Sequence, residues 1–266
     1  MAPSQKADTT EISTADPSLY RNDTNASIAI PKDVFEKLYL TPQLPAKGQL
    51  RATFGNPTPL GLVGFIMTSS PFACILMGWR GASDIAALIG VLYFFGGTIQ
   101  IIACILEFFL ANTFPCVVFG TFGAFWLSLG ITEQYVIPQA ADPTNFYASF
   151  AYVLAFFGVL MLMFLVCALR TNVIFVTLFA LIIIIAELLA AAYWSLADGA
   201  VSRAENLLKG AGAVTFILSA FAFYLLFTIL LEAVDFPLTL PVGDLSTRFK
   251  GKRGRKAEKE RRDLGV

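Results

Sequence analysis

The chain has no histidine, and only 14% of its 266 residues are Asp, Glu, Lys or Arg. An ordinary soluble domain carries roughly 25% charge. Without histidine, a titrating group in any functional path has to be a carboxylate or a tyrosine. The four cysteines, Cys74, Cys104, Cys116 and Cys167, lie in apolar segments and show no CxxC or Cys/His spacing. They read as reduced, buried thiols that pack as small apolar side chains, so neither a metal nor another cofactor is expected. No nucleophile–base pair, metal cluster or phosphate loop stands out, and the chain is not expected to be an enzyme.

What is abundant is apolar surface: 56% of residues are hydrophobic, with 25 phenylalanines. Six apolar segments run over about 57–79, 85–110, 114–136, 146–169, 172–197 and 210–231, each long enough for the roughly 20-residue span of a bilayer. The links at 111–113 and 170–172 are so short that the helices they join must be antiparallel neighbours. The expected fold class is an all-α membrane protein, a six-helix bundle. Its parts are a disordered N-terminal tail (1–53), the transmembrane domain (54–236) and a basic C-terminal tail (237–266).

Charge gives the orientation. The tails hold 15 of the 19 basic residues, and only Arg80, Arg170, Arg203 and Lys209 lie between them. The positive-inside bias then puts both termini in the cytoplasm, and the first 25 polar residues do not resemble a cleavable leader. On that side the sequons at Asn22 and Asn25 are chance matches. Residues 30–39 could form a short amphipathic turn at the membrane surface. The stretch "RFKGKRGRKAEKERR" (248–262) is read as a solvated topology determinant, with anionic-lipid binding as the alternative; nucleic acid is not an expected partner.

Charges inside a bilayer are rare and mark candidate sites. Glu107 and Glu187 lie within spans, with no Lys or Arg placed to pair with them, whereas Asp84 and Glu133 sit nearer the edges. Gly96, Gln100, Ala103, Cys104 and Glu107 fall three and four apart and form one small, polar stripe. Close helix packing explains the small members. Gln100 and Glu107 need polar partners or water, and either line or brace a polar path. Gly120 and Gly123 beside Phe119, Phe122, Phe125 and Trp126 fit a packed core or a hydrophobic gate.

The first span opens "FGNPTPLGLVGF" (54–65). Asn56 is placed to cap the helix, with Pro57 at its first position and Pro59 in the first turn. Gly61 and Gly64 thin one face. A helix starting inside the protein directs N–H groups and partial positive charge at what lies before it, which suits an anion.

These residues also carry a family resemblance. "NPTPLGLVGF" resembles the N-P-A-P-L-G-L signature of the acetate uptake transporter family, which includes bacterial succinate–acetate permeases and fungal ammonia/acetate exporters. "GGTIQIIACILEFFLANTFPCVVFGTFGAFW" (96–126) is similar to its G-G-x-x-Q … G-x-x-E-x-x-x-G-N-T-F … Y-G-x-F-W stretch, and "LPVGD" (240–244) to its closing L-P-x-G-[DE]. The resemblance implies a six-helix protomer around its own pore, assembled as a hexamer, with a fold shared with proton-gated urea channels. It implies passage of acetate and other short monocarboxylates, channel-like or coupled to protons. Ammonia or ammonium export, or a non-conducting membrane scaffold or sensor, are the alternatives. It places Phe65, Phe122 and a fifth-helix leucine, Leu181, at the narrowest point, and it matches Gln100, Glu107 and Asn112 to its conserved polar positions. The tails suit a fungal member, and the plasma membrane is the expected location. Thr58, Cys104, Ala111 and Phe122 depart from the signature residues Ala, Gly, Gly and Tyr.

Overall fold

The computed structural model describes residues 54–245. The expectations for the remainder of the tails, including both sequons, residues 30–39 and the basic stretch 248–262, lie outside the described residues. Six helices are long and apolar enough to cross a membrane: α1 (Thr58–Leu76), α2 (Ile85–Phe109), α3 (Thr113–Gln139), α4 (Pro143–Ala168), α5 (Val173–Ala197) and α6 (Val201–Ala233). The chain is therefore a multi-pass integral membrane protein.

The helices follow one another around a ring in chain order, and α6 returns to pack on α1. Short links make this arrangement the simplest one. Residues 110–112 join α2 to α3, and residues 169–172 join α4 to α5. Between α3 and α4 the ring closes mainly through aromatic side chains. Phe157 of α4 stacks on Phe125 at 4.6 Å and meets Phe122 edge-on at 5.6 Å. Phe114 at the start of α3 meets Phe164 of α4.

Glycines set the close approaches on the other side of the ring. A Cβ at Gly64 of α1 would lie 2.5 Å from the Phe95 carbonyl oxygen, and one at Gly96 of α2 would lie 2.7 Å from the Trp126 ring. Residues 92–99 of α2 are wound as a π-helix, a widening that often marks functional sites. It falls where α1 and α3 press closest on α2.

The turn after α2 closes with two backbone bonds: Asn112 N–H donates to Glu107 O at 2.9 Å and Ala111 N–H to Phe108 O at 3.0 Å. This Schellman pattern needs a left-handed residue, usually glycine. Here Ala111 takes it, at φ 57°, which is the glycine position of the family motif.

Two sequence expectations shift. The sixth span begins at Val201, not near 210, so Arg203 and Lys209 are helical rather than in a loop. Their charge hid the helix start, because an apolar window finds only the lipid-matched part of a helix. At 33 residues α6 is about 50 Å long, well beyond a hydrocarbon core of roughly 30 Å. Similarly, residues 137–139 and 143–145 belong to helices, leaving only 140–142 as the link between α3 and α4.

Candidate functional site

Inside the ring lie two cavities of about 50 Å³ each, room for a molecule of about three or four heavy atoms. The first is lined by Thr58, Leu62, Gln100, Phe114, Thr171 and Phe175, among others. It sits at the end where α1, α3 and α5 begin, which is also where the described chain starts and stops. The second is lined by Ser69, Phe72, Trp126, Phe157, Leu189 and Thr215, among others. Three residues line both: Phe65, Phe122 and Ile182. They come from α1, α3 and α5 and form the constriction between the cavities. The Phe65 and Phe122 rings meet edge-on at 5.3 Å and 81°. Phe157 holds Phe122 from behind.

Leu181, the residue expected at this point, lines neither cavity; Ile182 does. One residue along a helix is a turn of about 100°, enough to move a side chain off the lining. The run "LIIII" (181–185) offers no polar marker of register.

The start of α1 also differs from expectation. The helix begins at Thr58, one residue later than the sequence suggests, and Asn56 is exposed and outside both cavities. Its carboxamide oxygen accepts from Thr58 N–H at 3.0 Å. Pro59 has no N–H, and Leu60 and Gly61 N–H both donate to Pro57 O, at 3.0 and 3.3 Å. The first-turn donors are thus consumed locally, and none of these four positions offers an N–H to an anion. The rest of the signature serves packing. Gly61 makes room for the Phe119 ring, against which a Cβ would collide.

Glu107 is fully buried at the end of α2. Thr58 Oγ1 donates to one of its carboxyl oxygens at 2.5 Å, and Asn112 Nδ2 donates to the other. One side chain therefore joins the start of α1, the end of α2 and the residue preceding α3. Thr58 stands between Glu107 and the first cavity, so Glu107 does not line it. Of the two roles left open for this residue, the geometry fits bracing. Gln100, also fully buried, does line the first cavity. Its Nε2 donates to Gly96 O at 2.9 Å, and its Oε1 has no hydrogen-bond partner.

The "LPVGD" segment has a structural role that the sequence did not show. It folds back on the turn between α4 and α5. Val173 N–H donates to Gly243 O at 2.7 Å, and Leu245 N–H donates to Thr171 O at 3.0 Å. The Tyr224 hydroxyl donates to Pro241 O at 2.8 Å. Gly243 is at φ 69°, and a Cβ there would lie 2.8 Å from the Val173 side chain. The segment thus clamps Thr171, which lines the first cavity.

Comparison with known proteins decides the kinship. Residues 39–247 match the GPR1/FUN34/yaaH family. The chain belongs to that family. Protein alcS of Aspergillus fumigatus is 42% identical over 243 residues, covering 86% of this chain and 89% of that protein. Acetate transporter protein patA of Aspergillus clavatus is 30% identical, covering 73% of this chain and 80% of that one. The structure of the bacterial acetate channel SatP superposes with a TM-score of 0.60 at 28% identity, over 71% of this chain and 99% of that chain.

Other residues singled out in this GPR1/FUN34/yaaH chain lie away from the cavities. Glu187 is exposed near the middle of α5 and lines neither cavity. Its carboxyl lies over Gly158 of α4, where a Cβ would collide with Oε1. The cysteines are less hidden than expected: Cys167 is exposed, and Cys74, Cys104 and Cys116 are half-buried. The Cys104 and Cys116 sulfurs are 3.4 Å apart, because Gly120 lets α3 approach α2 at Cys104. Among the described residues, no three His, Cys, Asp or Glu side chains gather as a metal site. Trp126 stands in the sequence only as a neighbour of Gly123 in a packed core or gate, and not as a site residue. It is buried, lines the second cavity, and its Nε1 has no partner. A tryptophan beside Gly123 in a span was the available signal, but it reads equally as core.

Proposed function

We propose that this protein carries acetate and other short monocarboxylic acids across a membrane, through the two cavities of each protomer. The single observation behind this reading is the constriction: Phe65, Phe122 and Ile182 line both cavities and stand between them. A gate of this kind passes a small solute once it has shed water. The named activities of patA and SatP, together with the fit of each cavity to a molecule of a few heavy atoms, support the choice of acid.

In this reading Gln100 belongs to the path and Glu107, through Thr58 and Asn112, holds the helix ends that frame it. Asn56, Pro57, Pro59 and Gly61 seat α1 rather than touch the solute. The role is transport, not catalysis. Residues 54–236 act as the conducting domain, while residues 1–53 and 237–266 are cytoplasmic tails, with 237–245 anchored on the turn before α5. The plasma membrane is the site of action, and the assembly is a hexamer in the bilayer.

The test is reconstitution in proteoliposomes with a panel of labelled short acids and ammonium, with and without a pH gradient. The expected result is uptake of acetate above protein-free vesicles. Movement of ammonium alone would turn the reading to ammonia export, and no flux of any solute would support a scaffold.

A further inference from the structure

Two of the four cysteines meet. Cys104 Sγ on α2 and Cys116 Sγ on α3 lie 3.4 Å apart, while Cys74 and Cys167 sit on α1 and α4. The register of the α2–α3 hairpin brings the pair together. Three close approaches run along it: Gly97 against Leu127, Ile101 against Gly123, and Cys104 against Gly120. Each step of three or four residues toward the end of α2 is matched by an equal step toward the start of α3, as in two antiparallel helices. One further step on α3, four residues before Gly120, is Cys116. Gly120 has no side chain to hold Cys104 away, and a Cβ there would lie 3.0 Å from the Cys104 sulfur.

The pair stands outside the site already described. Neither cysteine lines a cavity. Both are half-buried, and their neighbours Ile105 and Val117 are exposed, so the sulfurs are reached from the outer side of the ring. The family signature has glycine at the position of Cys104, so the pairing belongs to this chain rather than to the motif. The segment between the two thiols carries Glu107, Ala111 and Asn112, and Pro115, next to Cys116, lines the first cavity.

We propose that Cys104 and Cys116 are a redox-modification site, a dithiol that a hydroperoxide closes to an intramolecular disulfide. The gap from 3.4 Å to a bond of about 2.0 Å is within reach of side-chain rotation. One sulfur attacks the peroxide, an S–O bond forms, the O–O bond breaks, and the alcohol or water leaves with a proton. The second sulfur attacks the sulfenic sulfur, the S–S bond forms and water leaves. Two thiols give up two electrons and one hydroperoxide takes them. An apolar setting slows thiol oxidation, but an adjacent second thiol captures the sulfenic acid before it oxidises further. A hydroperoxide is uncharged and enters such a setting where an ionic oxidant does not. The bond would close the loop that carries Glu107 and Asn112 and fix the α2–α3 corner on which the Thr58–Glu107–Asn112 joint rests.

The experiment uses the full chain, reduced, in lipid nanodiscs. Hydrogen peroxide is added in one arm and a lipid hydroperoxide in the other, each raised until the exposed Cys167 reacts. Remaining thiols are then alkylated and the peptides weighed. The expected result in at least one arm is a Cys104–Cys116 bond within one chain, formed before Cys167 is lost. The melting temperature should rise by about 5 °C or more, and dithiothreitol should reverse both changes. Cys104→Ala and Cys116→Ala should each abolish the bond and the rise, and Cys74→Ala should keep them. If either of the first two variants fails to fold, the peptide map of the natural chain still decides. Cys104 and Cys116 still free once Cys167 has reacted in both arms, separate sulfinic acids at the two positions, or bonds only between chains would each overturn the inference.

Discussion

Glu107 and Glu187 are the same residue type, both inside spans, and the chain treats them in opposite ways. Glu107 is sealed from all solvent and takes hydrogen bonds from Thr58 and Asn112. Glu187 is exposed near the middle of α5, fitted over Gly158. The difference teaches that an intramembrane carboxyl is not by itself a pathway marker: the cavity walls are almost wholly apolar, the polar residues around them are Gln100, Trp126, Ser69 and three threonines, and neither glutamate is among them. Glu107 acts as a three-way joint because it sits where three helix ends converge. Glu187 has no comparable junction around it.

The contrast can be broken at several strengths. Glu107→Leu should be the most damaging change, costing about 3 kcal/mol or more, because it strands a buried hydroxyl and a buried amide. The readout is the melting temperature in detergent. Thr58→Val keeps the volume and removes one donor to Glu107, so it should cost about 1–3 kcal/mol in the same assay. Ala111→Gly should go the other way. It relieves a left-handed alanine in the turn that presents Asn112 to Glu107, and should raise stability by about 1 kcal/mol. Glu187→Leu should be the mildest, within about 0.5 kcal/mol, since it removes a carboxyl that brings no helix ends together. A Glu187→Leu effect as large as that of Glu107→Leu would erase the distinction.

Much of this was legible in the sequence. Charge-free runs and short links gave six spans, and of the small, polar stripe Gly96, Gln100, Ala103, Cys104 and Glu107 on α2 all are buried except Cys104, which is half-buried. The "NPTPLGL" and "GGTIQ" motifs pointed to the correct family. Helix register was not legible. Nothing in "LIIII" (181–185) distinguishes the residue that faces inward, so Ile182 could not be separated from Leu181. Nor could the fate of the α1 N–H groups be read, because it depends on the Pro57 carbonyl and the Asn56 side chain competing for them. Orphaned atoms such as Trp126 Nε1 are a property of packing alone. They show only once every neighbouring donor has been assigned a partner.

The central claim is that the solute passes between Phe65, Phe122 and Ile182. The most direct measurement is the ratio of butyrate to acetate uptake in proteoliposomes for the natural chain and for Phe65→Ala. Opening the constriction should raise that ratio at least about tenfold, since steric discrimination by one methylene is worth about 10–200-fold. An unchanged ratio in a variant that folds and still carries acetate would show that the solute takes another route.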